Sequence, residues 1–193
     1  MNPYLTLHVA HSYLFAGNRK KFWEIFSSVL SNAASTLNYP EAIHPFTGGG
    51  VMGDGHHGWA AAEILSAIRD AFIFENEDEN EAVLLQGIPP EWFEVEKKFS
   101  LSDSPLTSGM ISIFIESSED KIIIKIDFKK NHSVDSGWKW KINLPVPILE
   151  ARDGVEIISF LPHDDYSEIN LIPASYTLTF IKAEISRHFI KSI

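Results

Sequence analysis

The sequence contains no cysteine, which excludes a disulfide framework, a thiolate zinc site and a cysteine nucleophile. It has no apolar run of membrane-spanning length, and its first residues, MNPYLTLHVAHSYLFAG, lack the charged n-region and small-residue cleavage site of a signal peptide. Both absences point to a soluble, cytoplasmic protein. Positive charge is scarce as well: 16 Lys and Arg stand against 26 Asp and Glu, for a formal net charge of -10. A nucleic-acid backbone or an anionic membrane surface needs clustered Lys and Arg, so neither is expected as a partner, and a neutral ligand stays open. What is plentiful is apolar side chain, 45% of 193 residues. That is enough to bury a core in one large domain or in a small and a medium one, and it excludes disorder.

The densest pattern runs from Asn38 to Phe74. A polar loop carries Glu41, His44, Asp54, His56 and His57, and it leads directly into a long apolar helical stretch that opens with Trp59. Six glycines lie between Gly48 and Gly58, so the loop is expected to be shaped by positive φ angles and close backbone approaches. Such a loop on a rigid scaffold is where a binding or catalytic site is built.

The chain divides near residue 75. Pro3 at a first-turn position opens a helix with Leu5, Leu7, Ala10 and Leu14 apolar, Gly17 stops it, and Asn18 caps the next. Phe22, Ile25, Phe26, Val29 and Leu30 then recur at helical spacing, which predicts an antiparallel helix hairpin. A third helix is expected from near His57 to about Phe74, with Ala61, Ile64, Leu65, Ile68 and Phe72 inward and Glu63, Arg69 and Asp70 toward water or a partner. The acidic run ENEDENE at 75 to 81 reads as a solvated surface turn. Beyond it, short strand-like runs are expected at Lys98 to Leu101, Met110 to Glu116, Lys121 to Phe128, Trp138 to Leu144, Val155 to Leu161 and Tyr176 to Glu184. In the third run Ile122, Ile124, Ile126 and Phe128 oppose Ile123, Lys125 and Asp127. The expected class is α+β: a three-helix segment over 1-75, with its glycine-rich loop at 45-58, packed with an antiparallel β-sandwich over 76-193.

The run YPEAIHPFTGGGVMGDGHHGWAAAEIL, followed by a helix, an acidic turn, LLQGIPPEW and strands, resembles the C-terminal end of six-hairpin (α/α)6-toroid glycosidase-like proteins of the glucoamylase, rhamnosidase and trehalase kind. The resemblance implies that Glu41, ahead of PFTGG at Pro45 to Gly49, is the carboxylate at the mouth of the toroid. It further implies that the segment from Gly55 to Glu63 starts the last inner helix. Inverting glycoside hydrolysis uses two carboxyl groups about 6.5 to 9.5 Å apart, one protonating the leaving oxygen and one activating water. Glu41 would be the base. Only three helices fit before the strands begin, so the resemblance implies an incomplete toroid whose acid comes from an upstream portion or an upstream helical partner chain.

Other readings of the same residues stay open. Glu41 after a proline suits the first turn of a helix. His44, Asp54, His56 and His57 could surround a ligand, but adjacent histidines diverge and no HxxxH spacing exists, so no metal or other cofactor is expected. His8 and His11 read as surface or satisfied histidines. Trp59, Trp92, Trp138 and Trp140 offer flat faces for a sugar or, more simply, core packing; Trp59 is the strongest ligand candidate. Three functions follow: a glycosidase-related segment bordering a carbohydrate cleft, a non-catalytic carbohydrate-binding sandwich using Trp138 and Trp140, or a structural module whose helices are covered in a homo-oligomer.

Overall fold

The computed structural model describes residues 1–53, 55–131, 137–164 and 166–183. The chain is a mixed α+β protein that divides into two compact units, Met1–Phe74 and Glu75–Ile193. Among the described residues there are three α-helices and three open sheets, with no closed barrel.

In the first unit, α1 (Pro3–Phe15) is capped by the Asn2 side chain, which accepts from the Leu5 N–H, and it has Pro3 in its first turn. Gly17 ends it at φ 75°, and Asn18 caps α2 (Arg19–Leu30) by accepting from the Lys21 N–H. The expected hairpin is therefore present. Leu7, Ala10 and Leu14 of α1 and Phe22, Phe26 and Val29 of α2 are shut off from water; each large member contributes about 1.5–3 kcal/mol by burial. Two short strands, β1 (Ala42–Ile43) and β2 (Gly50–Met52), pair antiparallel and lead to α3 (Gly58–Phe72).

Helix α3 differs from its expected orientation. Its buried residues are Ala60, Ala67, Ala71 and Phe72, whereas Leu65 and Ile68, expected inside, are 70% and 40% exposed. The reason is on α1. His8 Nε2 lies 3.0 Å from Glu63 Oε1, His11 Nδ1 lies 3.6 Å from Glu63 Oε2, and His11 Nε2 lies 3.8 Å from Asp70 Oδ2. Small alanines let the helices approach, and the carboxylates expected to face water or a partner turn to the histidines of α1. Hydrophobic periodicity alone would rotate the helix the other way.

The second unit begins with a hairpin. The helix stops two residues short of expectation, and Ile73–Asn76 (β3) and Glu81–Leu84 (β4) flank an exposed acidic turn. A short 3₁₀ turn, Pro90–Phe93, precedes β5 (Lys98–Leu106), β6 (Gly109–Ser117) and β7 (Lys121–Lys130), a meander of hairpins. Then follow β8 (Lys139–Leu144), β9 (Ile148–Asp153), β10 (Glu156–Ile158), β11 (Leu161–Pro162), β12 (Ser167–Leu171) and β13 (Tyr176–Lys182). One sheet has the order β10-β9-β13-β7-β6-β5 and the other β11-β12-β8-β4-β3. The run expected as one strand from Val155 to Leu161 is two short ones in different sheets.

The expectation of wholly antiparallel pairing is corrected at one place. Strands β4 and β8 are parallel, with Ala82 beside Trp140 and Leu84 beside Ile142. The chain leaves β4, builds the β5-β6-β7 meander in the other sheet, and returns as β8 in the original direction, a crossover made of strands. Ala82, Val83 and Leu84 are consecutively buried, as a central strand covered on both faces requires. Away from β4 each sheet hides one face. Ile113, Ile115, Ile122, Ile124, Ile126 and Leu178 line the hidden face of the larger sheet, and Trp140, Ile142 and Ile169 that of the smaller. Phe128 of β7 meets Trp140 of β8 edge-on, with centroids 4.8 Å apart.

Two substitutions test this packing. At Gly109, the first residue of β6, an added Cβ would collide with the Lys129 carbonyl oxygen. Gly109→Ala is therefore expected to cost about 2 kcal/mol or more, read as a lowered urea midpoint. Glu63→Gln removes the charge that both histidines face and should lower stability at neutral pH by about 1 kcal/mol or less, since the cluster is partly exposed.

Candidate functional site

The crossing from α2 to α3 is a built structure. Pro40 packs so closely on Gly50 that a Cβ there would meet the proline ring at 2.9 Å. Across the bridge the Glu41 N–H donates to the Met52 carbonyl at 3.0 Å, and Ile43 N–H donates to Met1 O at 2.7 Å. The His44 ring folds back over the turn, where its Nδ1 accepts from the N–H groups of Phe46 and Thr47, each at 3.3 Å. Gly48 and Gly53, both with φ 69°, carry backbone turns that other residues rarely make.

This crossing encloses one side of a concavity of about 550 Å³ lined by Asn32, Thr36, Asn38, Pro40, Gly50 and Gly53, among others. Its walls combine glycine backbone, the polar side chains of Asn32, Thr36 and Asn38, and the apolar ones of Ala33, Ala34, Pro40 and Ile43. Thr36 donates to Asn38 Oδ1 at 2.6 Å, and Asn38 Nδ2 lies 2.8 Å from His56 Nδ1 and 3.4 Å from its Nε2. Glu41 follows Pro40 in the chain, and a Cβ on Gly53 would stand 3.5 Å from its Cβ. Its side chain is half-buried next to the wall, yet Glu41 is not among the lining residues.

The expected site residues thus separate into two groups. Glu41 and, through Asn38, His56 adjoin the concavity. His57 and Trp59 join a ring cluster on α1 instead: Tyr4 lies 5.2 Å from His57 and 5.7 Å from Trp59, centroid to centroid. His57 Nδ1 is buried there without a hydrogen-bond partner, while Trp59 is 65% exposed. His44 is engaged within its own turn. Asp54 lies outside the described residues. Trp138 and Trp140 are 5% and 1% exposed, so of their two readings core packing holds and the sugar platform does not. Trp92 leans edge-on against Phe99.

Among the described residues no carboxylate lines the concavity, and no group of His, Asp and Glu is arranged to hold a metal ion. The His8, His11, Glu63 and Asp70 cluster is the feature that sequence reasoning missed. Its signal was a pair of histidines three apart on one helix and two carboxylates seven apart on another, which nothing short of the helix pairing would connect. No helix among the described residues is long and apolar enough to cross a membrane. Compared with models of known protein families the chain matches none, and it matches no curated protein.

Tyr39, at the base of the crossing, is 4% exposed, and burial pushes its phenol above the ordinary tyrosine value. A raised folded value means that its stabilisation is complete below the ordinary tyrosine range and is lost as pH rises through the folded value. Tyr39→Phe should therefore flatten the alkaline fall in stability, measured by urea unfolding across that range. Gly50→Ala should loosen the crossing at a cost of about 1–3 kcal/mol, seen as faster amide exchange at Glu41 and Ile43.

Proposed function

We propose that the chain is a carbohydrate-active-enzyme-related module that engages a saccharide but does not complete hydrolysis by itself. In this reading the helical unit is the closing part of a six-hairpin toroid scaffold, and the two larger sheets of the other unit are the layers of a β-sandwich. The observation that carries it is the concavity beside Glu41, whose wall includes Pro40 immediately before that residue and Gly53 across from it. A neutral ligand with both hydroxyl and C–H faces suits walls that mix Asn32, Thr36 and Asn38 with Ala33, Ala34, Pro40 and Ile43 in a chain of net charge -10. Glu41 is the group to activate water at an anomeric carbon, with the acid supplied by an upstream helical partner chain.

The test is calorimetric titration of gluco- and rhamno-configured oligosaccharides. Wild type should bind without cleaving them, and Glu41→Gln should weaken binding about tenfold or more, the loss of a charge-assisted hydrogen bond. Equal affinity of the two proteins would overturn the role of Glu41, and cleavage that survives Glu41→Gln would overturn its assignment as base.

A second reading, self-association, is favoured by apolar side chains left open on two helices: Leu5 and Val9 on α1, each 50% exposed, and Leu65 and Ile68 on α3. A second copy of the chain would cover them. Light scattering should then give more than the monomer mass, reduced in a Leu65→Glu variant; a wild-type monomer at all concentrations excludes it.

A further inference from the structure

The water-facing side of the six-stranded sheet carries a feature that the Glu41 reading does not use. Register places Ser100, Phe114, Lys125 and Thr177 side by side across β5, β6, β7 and β13. One step along, Ser112 pairs with Asp127, and the Phe128 N–H donates to Ser175 Oγ at 3.0 Å, which brings Ser175 beside that pair. The row of Ser112, Asp127 and Ser175 lies beside the longer side chains of Phe114 and Lys125, and together with Ser100 and Thr177 it lines a trough. Ile113 and Ile126 point their side chains into the core, 1% and 3% exposed, so their backbone completes the floor.

Both ends of the trough are shaped. At β5 the pairing shifts between Leu101 and Ser104, and Asp103 takes φ 49° there while its N–H donates to Ser112 Oγ at 2.9 Å. Such a bulge bends an edge strand out of the plane. At the other end stands Gly154, in the turn that follows Asp153 at the end of β9. The enclosed volume is about 500 Å³, and four strand spacings of about 4.8 Å make it long rather than round.

We propose that this trough is a binding site for a neutral oligosaccharide, on the strand unit and separate from the Glu41 crossing. The hydrogen-bonding groups fit that class. Ser112 and Ser175 each accept from a backbone N–H, so each directs its own proton elsewhere, while Asp127 only accepts. A hydroxyl donor, a carboxylate and a second hydroxyl donor in one row complement adjacent sugar hydroxyls, which both donate and accept. Phe114, 37% exposed on the bordering row, offers its face to the C–H side of a pyranose ring. Two other classes fit less well. A phosphorylated ligand would meet the Asp127 carboxylate, which offsets the ammonium of Lys125 beside it. An extended peptide adds to an unpaired strand edge, whereas β6, β7 and β13 are interior strands with neighbours on both sides.

The experiment is amide-resolved NMR titration of the full chain with maltotetraose, cellotetraose and xylotetraose, each followed to saturation. At least one should move the amides of Ser112, Asp127 and Ser175 in a saturable way, with affinity reduced about tenfold in Phe114→Ala and in Asp127→Asn and restored in Phe114→Tyr. Both positions lie on the water side, so thermal melts near wild type verify folding. Glu41→Gln should leave these shifts unchanged, which separates failure here from failure of the first reading. No saturable shift with any of the three sugars, or binding that keeps its affinity in both variants, overturns the proposal.

Discussion

The strand unit depends on the register between β6 and β7. Because side chains alternate sides at every residue, the pairing of Ile113 with Ile126 and of Ile115 with Ile124 places one isoleucine row after another inside, and it aligns Phe114 with Lys125 and Ser112 with Asp127 outside. A slip of one residue would exchange the two sets, sending isoleucines to water and carboxylates to the core. Fold and trough are thus two consequences of one alignment. The core tolerates no alternative, so the water-facing rows are held as firmly as the hidden ones, without dedicated contacts of their own.

The helical unit is governed by a different balance. Its α1–α2 contact is apolar and capped, and it was readable from Pro3, Gly17 and Asn18 because turn and cap chemistry act locally. The α1–α3 contact is partly polar, with His8 and His11 meeting Glu63 and Asp70 across a narrow alanine stripe. Apolar periodicity favours Leu65 and Ile68 as the inner face, since that method weights size and greasiness. It cannot register that two carboxylates have partners waiting on another helix. The same limit hid the His–carboxylate cluster, a product of tertiary pairing alone.

Among the strands, Ile122, Ile124 and Ile126 announced their hidden side by strict alternation. Strands β9 and β12 did not: ILEARD carries three charges and SEINL alternates only over Ser167, Ile169 and Leu171, so turn-forming residues outweighed them. Trp138 and Trp140 show the ambiguity of aromatic residues, which suit a sugar face and a core equally until burial decides. At the glycine-rich crossing the existence of a shaped loop was legible from composition, whereas the partition of its residues was not. That partition follows from Pro40 pressing on Gly50 and from Tyr4 gathering His57 and Trp59, contacts that join distant parts of the sequence.

The parallel pairing of β4 with β8 bears on how the chain reaches its native state. Hairpins β5–β6 and β6–β7 can zip as soon as they are made, since their partners are neighbours, but Ala82, Val83 and Leu84 must wait for Trp140 and Ile142 from far along the chain. Closing so large a loop costs entropy before any contact rewards it, so assembly of the smaller sheet is expected to lag behind the hairpins. During that interval β4 has only β3 beside it, so the edge of a buried apolar strand stands open, and aggregation during folding is expected to begin there.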